Sequence, residues 1–271
     1  MKTKQVKQTE PWRRLETTRR VIHASRVIKG DVRNMARDID GGLFEAKYSL
    51  LTADPPWMYN DQKKVRKDGK TPTRGIGANH HYDLLSTADL CDLPVKRIAA
   101  DVGLLAMWAT CPHIPDALQV MEAWGFPYTT VGFAWLKTNS GAWGELEEAL
   151  NQASFLPIEN RISKVFETLF FFGPGNYTGS NLELVLFGRR EKGRAFHHDE
   201  GRKASQVILA PRDKEHSKKP EIMQNSLLWM YGGELKGKRA LEIFARRPRV
   251  GFDAYGNEPD KFEYYGGDAL G

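Results

Sequence analysis

One stretch decides the fold class of this chain: Tyr48-Ser49-Leu50-Leu51-Thr52-Ala53, followed directly by Asp54-Pro55-Pro56-Trp57. Its first part is a short apolar run, which predicts a buried strand. Each proline fixes its own φ and pushes the residue before it into an extended conformation. The sequence therefore predicts that the carboxylate of Asp54 is held rigidly at the carboxyl end of a strand, with the flat ring of Trp57 close by.

Outward from this stretch, strand-like and helix-like segments alternate along the chain. Such alternation is typical of an α/β fold with a mostly parallel sheet and helices on both faces. The predicted strands are residues 47–53, 103–109, 128–135, 182–187 and 239–245. The predicted helices are residues 87–101, 115–124, 145–153 and 220–231. Ligands of such sheets bind beyond the carboxyl ends of the strands, where Asp54 and the residues after Phe244 are predicted to lie.

Length and composition narrow the class of protein. The 271 residues, 41% of them hydrophobic, suffice for one large domain, which we expect at residues 21–271 with an insertion at 138–180. Residues 1–20 are polar and basic and are expected to form a solvated arm, with an arm that lies on nucleic acid as the alternative. The net charge of +6 mildly favours a polyanionic partner. Two cysteines without a metal or disulfide pattern, no secretory signal and no long apolar run favour a cytoplasmic protein without a membrane span.

The tetrapeptide Asp54-Pro55-Pro56-Trp57 has the parts needed to prepare the amino group of a nucleobase for methylation. The exocyclic amine of adenine is a poor nucleophile because its lone pair is delocalised into the ring. The carboxylate of Asp54 and the carbonyl of Pro55 would each accept a hydrogen bond from one N–H of the amine. These hydrogen bonds would favour a lone pair localised on the amine nitrogen. Trp57 offers a face for a base turned out of its helix, worth ~1–3 kcal/mol of stacking. A strand end with an Asp-Pro turn and a core tryptophan is the less favoured interpretation of the complete motif.

Two further segments carry charged residues suited to a cofactor. Lys219 precedes Pro220 at a predicted helix start, where the positive end of the helix favours a carboxylate ligand. Glu242 lies in an apolar strand that ends in Arg246, and Asn257 follows a glycine turn. Glu242 carries acceptors for an ammonium group or ribose hydroxyls, and Asn257 carries an acceptor for ribose or adenine. For each segment alone, an exposed basic loop or a salt-bridged strand end is the alternative.

Taken together, these segments resemble the adenine-N6 methyltransferases that carry Asp-Pro-Pro-Trp, relatives of the catalytic mRNA adenosine methyltransferase subunit. The order and spacing of the segments carry the resemblance, which is to the compact prokaryotic or phage members. The matching segments are Asp31-Val32, Asp54-Pro55-Pro56-Trp57, His81-Tyr82, Leu93-Pro94-Val95, Leu105-Ala106-Met107-Trp108-Ala109-Thr110, Ala123-Trp124-Gly125-Phe126, Trp135-Leu136-Lys137-Thr138, Glu183, His216-Ser217-Lys218-Lys219-Pro220, Leu241-Glu242-Ile243-Phe244-Ala245-Arg246 and Gly256-Asn257-Glu258.

The resemblance implies a Rossmann-like fold that uses S-adenosyl-L-methionine, with the catalytic motif early in the chain and the cofactor-side strand late. It implies catalytic roles for Asp54, Pro55, Pro56 and Trp57, and no metal, because a sulfonium methyl is already activated. The cofactor-binding residues it implies are Asp31, Val32, Asp54, Lys219, Glu242, Arg246, Asn257 and Glu258. The substrate pocket it implies consists of Tyr59, Tyr82, Trp135 and Lys137.

The activity implied is transfer of a methyl group to the N6 amine of adenine in nucleic acid, with DNA favoured and RNA as the alternative. The basic residues at 63–67 and 189–203 are expected to follow phosphates. A catalytically silent nucleic-acid-binding subunit is a second alternative, against which the intact motif and Lys219 argue. An amino-methyltransferase for protein glutamine or cytosine is a third. The insertion at 138–180 is expected to serve target recognition or a homodimer contact.

Overall fold

The structure is a computed structural model that describes residues 26–58, 84–173, 175, 177–190, 202–213, 218–232 and 238–259. Its strands are β1 Val27–Lys29, β2 Tyr48–Ala53, β3 Ala99–Thr110, β4 Tyr128–Thr138, β5 Leu182–Arg190, β6 Val207–Pro211, β7 Arg239–Ile243 and β8 Asp253–Gly256. Its helices are α1 Met35–Asp40, α2 Thr87–Asp92, α3 Val95–Ile98, α4 Ile114–Ala123, α5 Ala142–Gln152, α6 Ile158–Leu169 and α7 Ile222–Tyr231. The predicted arm at residues 1–20 lies outside the described ranges.

The strands form one sheet in the order β1-β8-β7-β2-β3-β5-β4-β6. Every neighbouring pair is parallel except the two that β5 makes with β3 and β4, so β5 runs against the other described strands. This confirms the prediction of a mostly parallel, Rossmann-like α/β fold. The chain passes from β2 to β3 on one side and from β7 to β8 on the other. The strand order therefore reverses between β7 and β2. Such a topological switch point is where an open α/β sheet forms its ligand crevice.

Helices cover both faces of the sheet. Successive side chains of a strand point to opposite faces, so β2 places Leu51 in the core beneath α1–α4 and Leu50 in the core beneath α7. Val120 of α4 belongs to the first core and Leu227 of α7 to the second. All six residues of β2 are buried, because the strand is covered on both sides.

Local sequence explains where the helices end. The predicted stop of α4 at Gly125 is confirmed: Gly125 has φ 76°, and Phe126 N–H donates to the Met121 carbonyl at 2.9 Å, as in a Schellman cap. The predicted helix at 87–101 is wrong in its extent. Pro94 pushes Leu93 into an extended conformation (ψ 128°), so the chain forms the two short helices α2 and α3 and β3 begins at Ala99.

Residues 138–180, which the sequence predicts to be an insertion, contain two helices that pack against each other, α5 and α6. The predicted helix at 145–153 corresponds to α5. Ala142, Leu169 and Phe170 form a small core of their own, against which Leu136 of β4 packs. Among the described residues no helix is long and apolar enough to cross a bilayer.

Candidate active site

Several of the predicted catalytic and cofactor-binding residues lie at one edge of the sheet, where the parallel strands end. Asp54 follows β2, residues 244–246 follow β7, Asn257 follows β8 and Asp31 lies just after β1. Glu183 lies at the start of β5, and because β5 is antiparallel its start meets the same edge. Residues from five strands therefore share the edge at which a crevice between β7 and β2 is expected.

Strand alternation also decides which face of the sheet these side chains use. Trp135 and Val185 belong to the core beneath α7, so Lys137 and Glu183, two residues away along their strands, point to the same face. Lys219 lies three residues before α7 and reaches over the strand ends from that face.

Asp54 and Glu183 share one lysine. The Nζ of Lys219 lies 3.1 Å from Asp54 Oδ1 and 3.3 Å from Glu183 Oε2. The other oxygen of Glu183, Oε1, lies 2.6 Å from Lys137 Nζ. Two carboxylates and two ammonium groups thus form a continuous ion-pair network, with formal charges that cancel.

Burial and neighbouring charge set the protonation of this network. Burial raises the pKa of the Asp54 carboxyl above its ordinary value, Lys219 opposes the shift and Glu183 adds to it. Burial acts in the same direction on Glu183, but Lys219 and Lys137 outweigh it and lower the pKa of Glu183. Burial disfavours the ammonium form of Lys219, yet the two carboxylates raise the pKa of Lys219. Lys219 therefore stays charged, while Asp54 holds a proton more readily than an exposed aspartate.

Asp54 keeps an accessible acceptor. Its side chain is 26% exposed, whereas the side chains of Lys219 and Glu183 are 11% and 10% exposed. Lys219 contacts Oδ1, and Asp54 makes no other hydrogen bond or ion pair with the residues that the structure describes. The partly exposed carboxylate therefore keeps acceptor capacity beyond its contact with Lys219.

The two prolines after Asp54 shape a tight turn. Trp57 N–H donates to the Pro55 carbonyl at 2.9 Å, and Leu85 N–H donates to the Pro56 carbonyl at 3.0 Å. A carbonyl oxygen has two lone pairs. The Pro55 carbonyl, predicted as the second acceptor for an amine, thus keeps one lone pair while it closes the turn.

Trp57 is a packed side chain in this structure. It is 5% exposed, and its indole N–H donates to the Trp108 carbonyl at 3.3 Å. Its ring stacks on His113, with centroids 5.6 Å apart and planes at 11°. One face of Trp57 is therefore covered by His113, and the base-stacking role stays a prediction. Tyr59 and Tyr82, the predicted pocket tyrosines, lie outside the described residues.

Trp135 and Lys137, also predicted for the substrate pocket, have different surroundings. Trp135 is 2% exposed, donates its indole N–H to the Ala210 carbonyl at 2.9 Å and meets Trp108 edge to face at 6.0 Å. Lys137 Nζ lies 5.2 Å from the centroid of the Trp135 ring. Trp135 thus supports Lys137 from beneath, and Lys137 is the one of the two that reaches the ion-pair network.

The backbone at the ends of β7 and β8 is tightly arranged. Phe244 has φ 64°, a left-handed conformation that costs a bulky residue ~1–3 kcal/mol. A Cβ on Gly256 would lie 2.8 Å from the Ala245 carbonyl oxygen, so only glycine fits there. Strained backbone and close approach at a strand end are features that occur where backbone meets a ligand.

Glu242 and Arg246 both lie near Asp54. Arg249 Nε donates to Glu242 Oε2 at 3.0 Å, and the Gln224 side chain donates to Oε1 at 3.4 Å. Burial raises the pKa of Glu242, with Arg249 opposing and the negative charge of Asp54 adding to the shift. The charge of Arg246 acts to lower the pKa of Asp54. Arg246 is thus a second cation beside Asp54, while Glu242 is engaged by its own protein.

The structure also brings together the predicted residues at the ends of β1 and β8. Val32 N–H donates to Asn257 Oδ1 at 3.3 Å. The carboxylate of Asp31 accepts from the guanidinium of Arg33 at 2.6 Å, which holds the pKa of Asp31 below its usual value. Asn257 and its neighbour Glu258 are exposed. Their polar side chains therefore stand at the open rim of the same edge.

Glu183 belongs to this site, although the sequence predicts no role for it beyond its place in the family resemblance. A single glutamate inside an otherwise apolar strand was the available signal, because a carboxylate at such a position must be paired. Nothing in the sequence indicated that the ring of Trp108 lies beneath Lys219, with Nζ 5.7 Å from the ring centroid. Among the described residues, no three His, Cys, Asp or Glu side chains come together as metal ligands.

Two of the basic residues expected to follow phosphates are described at the other edge of the sheet. Arg189 and Arg190 are at the carboxyl end of β5, and because β5 is antiparallel this is the edge opposite Asp54. Arg190 donates to the Lys96 carbonyl at 3.2 Å, at that same opposite edge. Most of the basic segments, 63–67 and 191–201, lie outside the described ranges, and the phosphate role stays a prediction.

Comparison with known proteins gives one family and two informative relatives. The model of the MT-A70 family matches residues 48–154, from β2 and Asp54 into the insertion. The chain is similar to the type II methyltransferase M.MunI of Mycoplasma sp, with 28% identity over 223 residues, 79% of each chain. It is also similar to the N6-methyladenosine RNA methyltransferase MTA1 of Pyricularia oryzae, with 26% identity over 80% of this chain and 48% of that protein.

Proposed function

We propose that this chain, whose residues 48–154 match the MT-A70 family model, transfers a methyl group from S-adenosyl-L-methionine to the exocyclic N6 amine of adenine in DNA. One observation carries the proposal. Asp54 presents an accessible carboxylate oxygen at the point where the sheet path diverges, held by a proline turn on one side and by Lys219 on the other.

The donor groups at this edge suit the proposed cofactor. Lys219 and Arg246 are two cations next to the crevice, as the α-carboxylate of a methionine moiety requires. Asn257 and Glu258 offer exposed acceptors for ribose hydroxyls at the end of β8, and the close approach at Gly256 leaves the backbone free of side chains there. When bound, S-adenosyl-L-methionine supplies a methyl group activated by the positively charged sulfonium.

The residues of this chain would prepare the nucleophile. The carboxylate of Asp54 would accept a hydrogen bond from one N–H of the target amine, and the remaining lone pair of the Pro55 carbonyl would accept a hydrogen bond from the other. Both acceptors are fixed before the base arrives, so little reorganisation is needed. After the N–C bond forms, the amine must lose a proton, and the raised pKa of Asp54 makes that carboxylate a suitable first acceptor.

We favour DNA because of how the relatives align. The type II methyltransferase aligns over the same large share of both chains, whereas the RNA methyltransferase aligns over 48% of its own length. The RNA relative keeps an RNA adenosine activity as the second candidate. Matched DNA and RNA oligonucleotides of one sequence, incubated with labelled cofactor and analysed as nucleosides by mass spectrometry, separate the two. Label in N6-methyladenosine alone would overturn the choice of DNA.

The catalytic assignment is tested with Asp54→Ala. We expect methyl transfer to vanish while calorimetry still detects cofactor binding, because Lys219 and Arg246 remain. Glu167→Gln, at an exposed ion pair on α6, is the matched control and should keep full activity. Retained transfer in Asp54→Ala would remove the assignment. A wild-type protein that gives no heat with the cofactor would instead identify a silent binding subunit.

A further inference from the structure

Large aromatic side chains are exposed on the segment that follows α6. Phe172 is 68% exposed and Tyr177 is 100% exposed. The guanidinium of Arg212, just after β6, lies 4.1 Å from the ring centroid of the neighbouring Phe171. We call these four residues the aromatic patch. Large aromatic side chains that are exposed together on one segment indicate an interaction surface.

The aromatic patch is attached directly to the active-site network. Phe171 N–H donates to the Lys137 carbonyl at 2.9 Å, and Arg212 N–H donates to the Thr138 carbonyl at 3.2 Å. The backbone of both Phe171 and Arg212 is thus hydrogen-bonded to the end of β4. The side chain of the same Lys137 binds Glu183, which leads through Lys219 to Asp54.

The backbone presents these rings instead of burying them. Gly173 and Ser180 exchange two backbone hydrogen bonds, each 3.1 Å long. A Cβ on Gly179 would lie 2.3 Å from the ring of Phe172, so that ring rests on the backbone of the returning strand. Phe172 thus contacts its own chain at Gly179, while its side chain remains 68% exposed.

The chemistry of the aromatic patch fits unstacked bases. When a target adenine is rotated out of its helix, its neighbours lose a stacking partner, and aromatic rings and arginine planes replace that contact without regard to sequence. The patch contains no carboxylate, and the nearby Asp213 is paired with Lys218 at 2.5 Å. An aromatic and cationic surface favours a polyanion over a second, equally basic copy of this chain.

We propose that the aromatic patch binds the nucleotides that flank the target adenine by stacking on their bases. This inference rests on the proposed function and assigns the flanking nucleic acid to a defined surface. It also gives part of the insertion at 138–180 a role in holding the substrate strand.

The test compares Tyr177→Ala and Phe172→Ala with Phe155→Ala, a control in the turn between α5 and α6 that is 81% exposed. We expect KM for a DNA oligonucleotide to rise about tenfold for each patch variant, with kcat nearly unchanged. The dissociation constant of the cofactor should be unchanged in all three variants. The control should match the wild type.

A second measurement identifies the contact itself. Oligonucleotides with an abasic site next to the target adenine should bind the wild type about tenfold more weakly, and this penalty should shrink in the patch variants. Equal penalties in wild type and variants would overturn the proposal. So would an unchanged KM, or variants that lose dimer in sedimentation and show no coupling to the abasic site.

The two proposals fail in different ways. If the wild type methylates DNA and Asp54→Ala does not, while the patch variants behave as wild type, only the patch assignment is wrong. If the wild type transfers no methyl group to any adenine, the proposed function itself fails. Thermal unfolding of each variant checks that the exposed substitutions leave the fold intact, and we expect an unchanged Tm.

Discussion

Glu183→Gln tests the charge of the ion-pair network without changing the shape of the site. It keeps the size of the side chain and removes one negative charge between two lysines at 2.6 and 3.3 Å. At an effective dielectric constant of about 20, each such contact has a gross attraction of about 5–6 kcal/mol, which desolvation largely offsets. Removing one partner of a buried pair costs ~3–5 kcal/mol. Because glutamine still accepts a hydrogen bond, we expect a loss of about 2–3 kcal/mol.

Two assays measure this loss. In thermal unfolding, 2–3 kcal/mol corresponds to a fall in Tm of about 5–10 °C for a chain of this size. The pH dependence fixes its origin: since the pKa of Glu183 is lowered in the folded state, the stabilisation is complete above the ordinary pKa of glutamate and is lost as pH falls through the folded value. The difference between wild type and variant should therefore narrow below about pH 4.

The pH dependence of methyl transfer is an independent test of the Glu183→Gln variant. The charge of Glu183 raises the pKa of Asp54, so the glutamine variant should lower that pKa and move the acid limb of methyl transfer to lower pH. Glu167→Gln, which breaks an exposed pair with Lys164 at 3.6 Å, should change stability by less than about 0.5 kcal/mol. Equal stability of Glu183→Gln and wild type at pH 7, with an unmoved acid limb, would refute the reasoning.

Three further predictions concern the stability of the site and its pH dependence. Gly256→Ala should lower the free energy of unfolding, measured in guanidinium, by ~1–3 kcal/mol, because the new methyl group would lie 2.8 Å from a backbone oxygen. The control is Gly144→Ala on α5, where no atom lies within 4 Å of the new Cβ, and this variant should raise the free energy of unfolding by ~0.5–1 kcal/mol. Tyr48→Phe removes a buried hydroxyl that donates to Asp253 at 2.8 Å and should cost ~1.5–3 kcal/mol in the same assay. Because burial raises the pKa of Asp54, wild-type methyl transfer should fall with decreasing pH already above the ordinary aspartate pKa; an acid limb at or below about pH 3.9 would contradict this.

The central strands could be predicted from the sequence because they are covered on both faces. β2 is a continuous apolar run, and such a run between turn signals allows few other interpretations. β1 and β8 were missed because they have three and four residues, and β8 begins with an aspartate and ends with a glycine. That aspartate, Asp253, is buried by tertiary partners, Tyr48 and Arg239, which no local pattern reveals.

Aromatic residues show the limit of reasoning from a motif. The motif predicts that a ring follows Asp54, and the structure places Trp57 there. Whether that ring faces a crevice or the core depends on a residue distant in sequence, His113, which stacks on it. The same holds for Trp135, whose indole N–H is satisfied by Ala210 on the edge strand β6. Burial of an amphipathic ring is decided by sheet order, which sequence spacing does not encode.

The reversed direction of β5 is what completes the site. If β5 ran parallel to its neighbours, its first residues would lie at the edge opposite Asp54, and Glu183 could not reach Lys219. Antiparallel pairing places Glu183 across from Thr110 of β3 and Trp135 of β4, beside Lys137. The sequence contains the glutamate and both lysines, but only this strand direction makes them one network. The partners of a charged side chain in an apolar strand therefore depend on the direction of that strand, because the direction decides at which edge of the sheet the side chain lies.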